Sequence, residues 1–444
     1  MKNVLIGVIV ALVLLSAKAA LADSSLDRIH VQLMQIRAAH NGRAPIAYHY
    51  PGGGAGDRGA TPALTDVKHE LRDWIEARLR QFPHKDDPDS LAKALNAELD
   101  AADLTCAAPR QPQRCTPNEY GFDGTGYLTG ISIETAPGSI WYAGQDPNHQ
   151  RVEQAVFVVK TQIGILCGSD TSAYVYEWSD NRLQRVLADE QIIAPGKPYT
   201  PQTIDAVQIA SPAEKSKTRN VLVLGHQEWC SSSWYDTYHR IWRTTSDGEP
   251  ASLLLSDATW SFLGNDPPIE GSISSREALI EFRVGSLDPG VHSYETIRHY
   301  ALDGPKPHRI DPIALGPRAF TEEWLKANWN DGRAWSDPAS MAALRTWYGK
   351  LHAENPLGEF YDTTHCGAHS DLWQVGIDFT KEDRAINEKQ KYVGSVYFAV
   401  RWRPPYHFQM TAIGTKPLAA CKEVDQDADA DRTLFPIQDW VGWK

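Results

Sequence analysis

Three short stretches concentrate the residue types that hold or transform polar ligands: Cys167–Ser172, Cys230–Asp236 and Leu287–Ser293. Each contains an aspartate and a hydroxyl, and the last two add Trp234, Tyr235 and His292. Carboxylates and hydroxyls beside aromatic faces suit a sugar or a cationic group, because the ring covers the flat apolar side while the polar groups fix orientation. Asp, Ser and Gly are also ordinary turn residues whose side chains satisfy their own backbone. Composition alone therefore does not separate a binding loop from a tight turn. The candidate ligand-binding residues are Asp170, Trp234, Tyr235, Asp236, Asp288 and His292.

Other chemistry-bearing groups are weaker. His226, Glu228, His239 and Ser231–Ser233 supply the residue types of a hydrolase, but the chain contains no Gly-x-Ser-x-Gly elbow and no His-Glu-x-x-His pair. His365 and His369 stand four apart beside Cys366, a spacing that suits zinc on a helix. Gly367 argues for a loop instead, and an oxidised Cys366 would not ligate. Asp425, Asp427 and Asp429 alternate as in a calcium loop, yet Ala430 stands where such a loop needs Gly and Pro436 where it needs Glu. The Gly-rich 51–62 stretch lacks the Gly-Lys-Ser/Thr ending of a phosphate loop and reads as a linker. No metal or cofactor is expected.

The elements that must position the three stretches form a repeat. Runs starting at Ala155, Asn220 and Ala278 are apolar and β-branched, and their starts lie 65 and 58 residues apart. Each is followed by a polar stretch, an aromatic-rich run (Ala173–Trp178, Thr237–Arg243, Tyr294–Tyr300), a tight turn, and a closing run (Leu183–Leu187, Ala251–Leu255, His308–Ile313). Tyr127–Glu134, Ile204–Ala210 and Ile269–Ser274 offer a fourth strand to each unit. A degenerate fourth unit is expected with runs Trp373–Thr380, Gly394–Trp402 and Phe408–Ile413. The expected fold class is mainly β with an N-terminal helical region: a propeller-like arrangement of about four antiparallel four-stranded units, the alternative being an open β-sandwich or barrel. Trp440 and Trp443 could close such a ring.

Before the repeat, apolar residues fall at helical spacing in three segments: Leu26–Ile36, Val67–Leu79 (capped at Thr65 or Asp66) and Leu91–Leu99 (capped at Ser90). Three short stripes rarely bury enough surface to stand alone, so they should pack on something larger. Thr321 and Ser336 are candidate caps for helices inserted between the third and fourth units. The expected organisation is a signal peptide at 1–22, a helical region at 23–104, and a β-repeat domain at 105–444 with a helical insertion around 319–352.

The leader assignment rests on Lys2, the apolar run Val4–Leu15 and the small-residue ending at Ala20–Ala22. The run is shorter than the roughly 20 residues that span a bilayer, so no membrane span is expected after the leader is removed. The net charge of −12 disfavours nucleic acid, whose phosphates require Lys and Arg. Export together with six cysteines favours disulfides. Cys106 with Cys115 is the expected short-range pair, Cys167 with Cys230 would join adjacent units, and Cys366 and Cys421 remain. Most of the 15 tryptophans are expected in the core or between sheets. The functional expectation is a secreted or periplasmic non-enzymatic binding protein for an extracellular ligand, a saccharide or a protein. The alternative is a hydrolase of an extracellular polymer such as a glycan, using acids such as Asp170, Glu228 and Asp236.

Overall fold

The computed structural model describes residues 25–38, 61–81, 87–105, 117–118, 121–122, 126–136, 155–165, 168–179, 182–192, 202–210, 218–227, 234–245, 249–262, 269–285, 293–310, 313–314, 316–354, 357–367, 370–381, 391–403, 407–419 and 421. The chain divides into two compact units, 1–256 and 257–444.

The first unit begins with three helices: α1 over 25–38, α2 (Thr61–Leu79) and α3 (Pro88–Ala101). The apolar stripes read from the sequence are their buried faces: Ile29, Leu33 and Ile36, then Val67, Leu71, Trp74, Ile75 and Leu79, then Leu91, Leu95 and Leu99. The caps differ from expectation. Asp87, not Ser90, caps α3 by accepting from the Ser90 backbone N–H at 2.8 Å, and Pro88 sits at the first helical position, where its missing N–H costs nothing. Helix α2 begins at Thr61, ahead of Thr65.

The two-residue strands β1 (Pro117–Asn118) and β2 (Gly121–Phe122) pair with each other. Sheet 1 is an antiparallel meander of β3 (Leu128–Thr135), β4 (Ala155–Ile165), β5 (Gly168–Ser179) and β6 (Arg182–Asp189). Strands β4 and β5 alternate in their buried residues. Ile131, Ile133, Phe157, Val159, Ile163, Tyr174 and Tyr176 join the helical stripes in one core. The intervening Val156, Val158, Ala173 and Val175 join a second core with Ile204, Val207, Ile209, Val221, Val223 and Tyr238. Those partners come from sheet 2, the meander β7 (Thr203–Ile209), β8 (Thr218–Gln227), β9 (Trp234–Thr245) and β10 (Ser252–Phe262). The first unit is thus layered: helices, sheet 1, sheet 2. The helical stripes find their larger surface on the outer face of sheet 1.

The second unit holds sheet 3, with β11 (Ile269–Ile273), β12 (Glu277–Gly285) and β13 (Ser293–Ala301). Its expected single closing strand is split into β14 (His308–Arg309) and β15 (Ile313–Ala314), both pairing with β13. Pro312 lies between them and has no N–H to give a ladder. Helices α4 (Pro317–Lys326), α5 (Trp329–Ala334) and α6 (Met341–Glu354) follow, with a 3-10 turn at Pro338–Ser340. Thr321 is internal to α4, its hydroxyl donating to Pro317 O at 2.7 Å. Gly316, Asn328 and Asp337 occupy the cap positions, and Ser336 is buried against Gly332 O.

Sheet 4 is β16 (Leu357–His365), β17 (Leu372–Lys381), β18 (Lys391–Arg403) and β19 (His407–Gly414). The three runs expected for this unit, like those of the other units, are its second to fourth strands. The true first strand, β16, went unread. Phe320, Trp324, Trp335, Leu344 and Leu351 pack with Val375, Ile377, Phe398, Val400 and Met410 in one core.

The protein is therefore mainly β with N-terminal helices, carrying four antiparallel four-stranded meanders, none closed into a barrel among the described residues. Cys366 and Cys421 form a disulfide. Cys106, Cys115, Cys167 and Cys230 lie outside the described residues, as do the leader, Trp440, Trp443 and the 425–431 acidic run. No helix among the described residues is long and apolar enough to cross a membrane.

Candidate functional site

The three sequence-designated stretches are topologically equivalent: each joins the second and third strands of its sheet, β4 to β5, β8 to β9 and β12 to β13. Only the first is described in side-chain detail. There the connection is tight, with Ile165 paired to Gly168, so Asp170 lies within β5 and not in a loop. It is fully buried and faces α2, where Lys68 Nζ stands 2.8 Å from its Oδ1; neither side chain has any solvent exposure. Lys68 also donates to Gln191 O at 2.9 Å. Trp234, Tyr235 and Asp236 open strand β9, Asp236 pairing with Gln227. The side chains of those three, and the whole of Asp288 and His292, lie outside the described residues.

Next to Asp170 the structure forms a cavity of about 420 Å³. It is built from five elements. Strand alternation explains its position. Along β4 the residues on the sheet 2 side run Val156, Val158, Lys160, Gln162, so the apolar core ends after two positions and polar side chains take over. Their neighbours across the ladder are Ala173 for Lys160 and Thr171 for Gln162. Strand β3 contributes Thr129, Gly130, Ile131 and Ser132, helix α3 contributes Asn96 and Asp100, and Thr105 and Ile204 complete the lining.

The wall is fixed by a hydrogen-bond chain. Thr129 donates to Gln162 Oε1 at 2.7 Å, and Gln162 Nε2 donates to Ser169 Oγ at 2.7 Å. Thr105 donates to Asp100. Asn96 seals the free edge of β3 as a strand would: its amide donates to Ile131 O and its carbonyl accepts from Ile131 N, both at 2.8 Å. An edge strand exposes unpaired backbone groups, and this bidentate side chain occupies two of them. At the rim, Lys160 pairs with Glu134 at 2.7 Å.

Thr171 is the informative member. Its backbone is clamped by Gln202, the N–H donating to Gln202 O at 2.8 Å and the carbonyl accepting from Gln202 Nε2 at 3.3 Å. The residue is 3% exposed, and Oγ1 has no hydrogen-bond partner among the described residues. A buried hydroxyl without a partner costs about 1–3 kcal/mol. Here it belongs to a residue that lines the cavity.

Elsewhere, His226 Nδ1 is 2.9 Å from Asp205 Oδ2. His365 closes β16 with its Nε2 2.6 Å from Ser370 O and its ring 4.4 Å from that of Trp373, and Gly367 has φ +115. The neighbouring Cys366 is committed to Cys421.

Of the sequence-designated residues, Asp170 adjoins the cavity in sequence but points to the opposite face of β5. Asn96, Lys160, Gln162 and Thr171 were not singled out as ligand groups, although the polar switch along β4 was visible in the sequence as Val, Val, Lys, Gln at every second position.

Comparison with known proteins adds little. No protein-family model matches the chain, and no curated protein matches it. Among solved structures, a mannose phosphorylase from Leishmania mexicana aligns at 9% identity and TM-score 0.18, covering 59% of this chain and 64% of its own. Sqt1 from Chaetomium thermophilum aligns at 10% identity and TM-score 0.14, covering 55% of this chain and 63% of its own. The chain thus spans less than two thirds of either, and likenesses this slight carry no functional argument.

Proposed function

We propose that the chain is an exported, non-enzymatic binding protein, secreted or periplasmic, and that the cavity between α3, β3, β4 and β5 takes a small hydroxyl-rich ligand, a saccharide. The observation that carries this reading is the buried Thr171 hydroxyl on the cavity wall, without a partner among the described residues. Amide and hydroxyl groups that both donate and accept match the pattern of sugar hydroxyls. A volume of about 420 Å³ falls in the range of small-molecule sites. The leader-like sequence and the Cys366–Cys421 bridge support export.

The hydrolase alternative takes two carboxylates flanking the scissile bond. Asp100 is the one carboxylate in the described lining, and Asp170 is spent on Lys68. Binding is accordingly the reading we favour.

Calorimetric titration of the purified chain with a panel of mono- and disaccharides tests it. At least one should bind, and Gln162→Ala should weaken that ligand about 5-fold or more, the equivalent of one hydrogen bond of about 1 kcal/mol. A panel with no binder, or a ligand indifferent to Gln162→Ala, would refute the cavity assignment. Release of reducing ends from a polysaccharide would instead favour the hydrolase.

A further inference from the structure

Helix α4 carries two fully buried acids side by side, Glu322 and Glu323. Glu323 is surrounded by donors from sheet 3: Tyr294 Oη at 2.8 Å, Arg298 Nε at 3.3 Å, and Arg309. Arg298 also reaches Asp257 at 3.0 Å. Glu322 has company on its own helix: Arg318 one turn before it at 4.0 Å and Lys326 one turn after it at 3.5 Å. The Lys326 amine stands 3.4 Å from Tyr294 Oη and 4.7 Å from the centre of that ring. Because Tyr294 gives its proton to Glu323, the phenol oxygen meets the amine as an acceptor. The strands that approach α4 from sheet 4 do so through Val375, Phe398 and Met410, which add no charge.

We propose that Lys326 is a carbonyl-capturing amine, condensing with a small aldehyde, such as the open-chain form of an aldose, to form an imine. The neutral amine attacks the carbonyl carbon, forming a C–N bond as the C=O π bond opens. Loss of water from the adduct then leaves the imine. The net change is amine plus aldehyde to imine plus water, with no redox step, and Glu322 is in reach of the ammonium proton that must leave first. Lys326 is paired with Glu322 at the longer distance of 3.5 Å. Lys68 is sealed against Asp170, and Lys160 is held at 2.7 Å by Glu134. The Lys326 side chain keeps 24% of its surface exposed, so a small electrophile can reach it. Burial pushes its pKa down to about 8, Glu322 opposes that shift and Arg298 adds to it. At pH 7 an amine of that pKa is roughly 10% neutral, against about 0.04% for a lysine near 10.4.

The test is reductive methylation of the intact chain with isotopic formaldehyde and cyanoborohydride, read by peptide mass mapping over short times. At pH 7, Lys326 should be modified at least about tenfold faster than the exposed Lys306 and Lys416, the margin left from that ratio after partial burial. Its rate should level off above about pH 8. Glu322→Gln, which removes the charge that retains the proton, should move the midpoint lower. Lys326→Met should abolish the adduct without changing the circular dichroism. If Lys326 in the wild-type chain reacts no faster than Lys306, or only in urea, the proposal is wrong whatever the variants do. The measurement does not involve the cavity, so neither reading depends on the other.

Discussion

Helix α2 on sheet 1 and helix α4 on sheet 3 both bury charge against a β surface, but with opposite polarity and different connectivity. Helix α2 brings cations, Lys68 and Arg72, to acids: Asp170 at 2.8 Å and Glu190, which also accepts from Tyr174. Helix α4 brings acids to cations, and Glu323 is shared by Arg298, Arg309 and a tyrosine. In the first region Lys68 and Asp170 face each other with no solvent exposure, and Lys68 is also held by Gln191 O. In the second, Glu323 and Arg298 are each shared between more than one charged partner. Taking a charge out of water costs several kcal/mol, and only good geometry and further hydrogen bonds repay it. A fully buried pair should therefore fail abruptly when one member is lost, and a shared network should fail by degrees.

The largest expected effect follows from the fully buried pair. Lys68→Met removes the counter-charge of Asp170 in a site with no solvent exposure, and stability should fall by about 3–5 kcal/mol. Lys68→Met combined with Asp170→Leu should recover most of that, since apolar replacement of a buried pair is often neutral. Denaturant midpoints of the wild type, single and double variants measure both. A double variant as unstable as the single one would mean that packing, not charge, holds α2 to β5.

A smaller loss is expected in the network. Glu323→Gln keeps the shape and an acceptor but discards the charge, and Arg298 retains Asp257. The cost should be about 1.5–3 kcal/mol, that of hydrogen bonds to charged groups. A loss as large as that of Lys68→Met would erase the distinction between the two regions.

The network also predicts a pH dependence. Lys326 has a folded pKa pushed down to about 8 from 10.5, so between those values the unfolded chain binds the extra proton. Stability then rises with pH through that window. Above pH 10 the buried Tyr174, Tyr238 and Tyr294, all with raised pKa values from burial, turn the trend downward. The rise from pH 8 to 10 should be absent in Lys326→Met. An identical slope in that variant would place the titrating group elsewhere.

Much of this architecture was legible in sequence, because strands buried on both faces read as continuous apolar runs, as at 221–224 in β8. Strand β16 was not: Leu357–His365 mixes Gly, Glu, Asp and Thr among its few apolar residues, and a bulge between Phe360 and Asp362 breaks its alternation. The helix insertion was found, but its caps were displaced because Pro317 and Pro338 start helical turns that Thr321 and Ser336 were expected to start. The cavity was harder still. Its lining comes from Asn96, Thr129, Lys160, Thr171 and Ile204, which converge only after five elements pack, and no local pattern encodes that. Asp170 was noticed for its type, yet its neighbours Cys167, Gly168 and Ser169 made a strand look like a turn.

The smallest expected effect separates two adjacent residues. Asp170 and Thr171 follow one another in β5, so they point to opposite faces: one into the helix-covered core, the other toward the cavity. Both are buried and polar. Asp170 has its counter-charge, whereas the Thr171 hydroxyl has no partner among the described residues. Thr171→Val keeps the branched shape and removes the hydroxyl's desolvation cost, so stability should stay within about 1 kcal/mol of wild type, neutral or slightly raised. Asp170→Val, by contrast, strands Lys68 and should cost several times more. The same Thr171→Val variant should bind the cavity's saccharide more weakly, because a group left unpaired by the fold is available to a ligand. A clear loss of stability in Thr171→Val would mean that its hydroxyl serves the fold, and the cavity would lose the feature that marks it as a site.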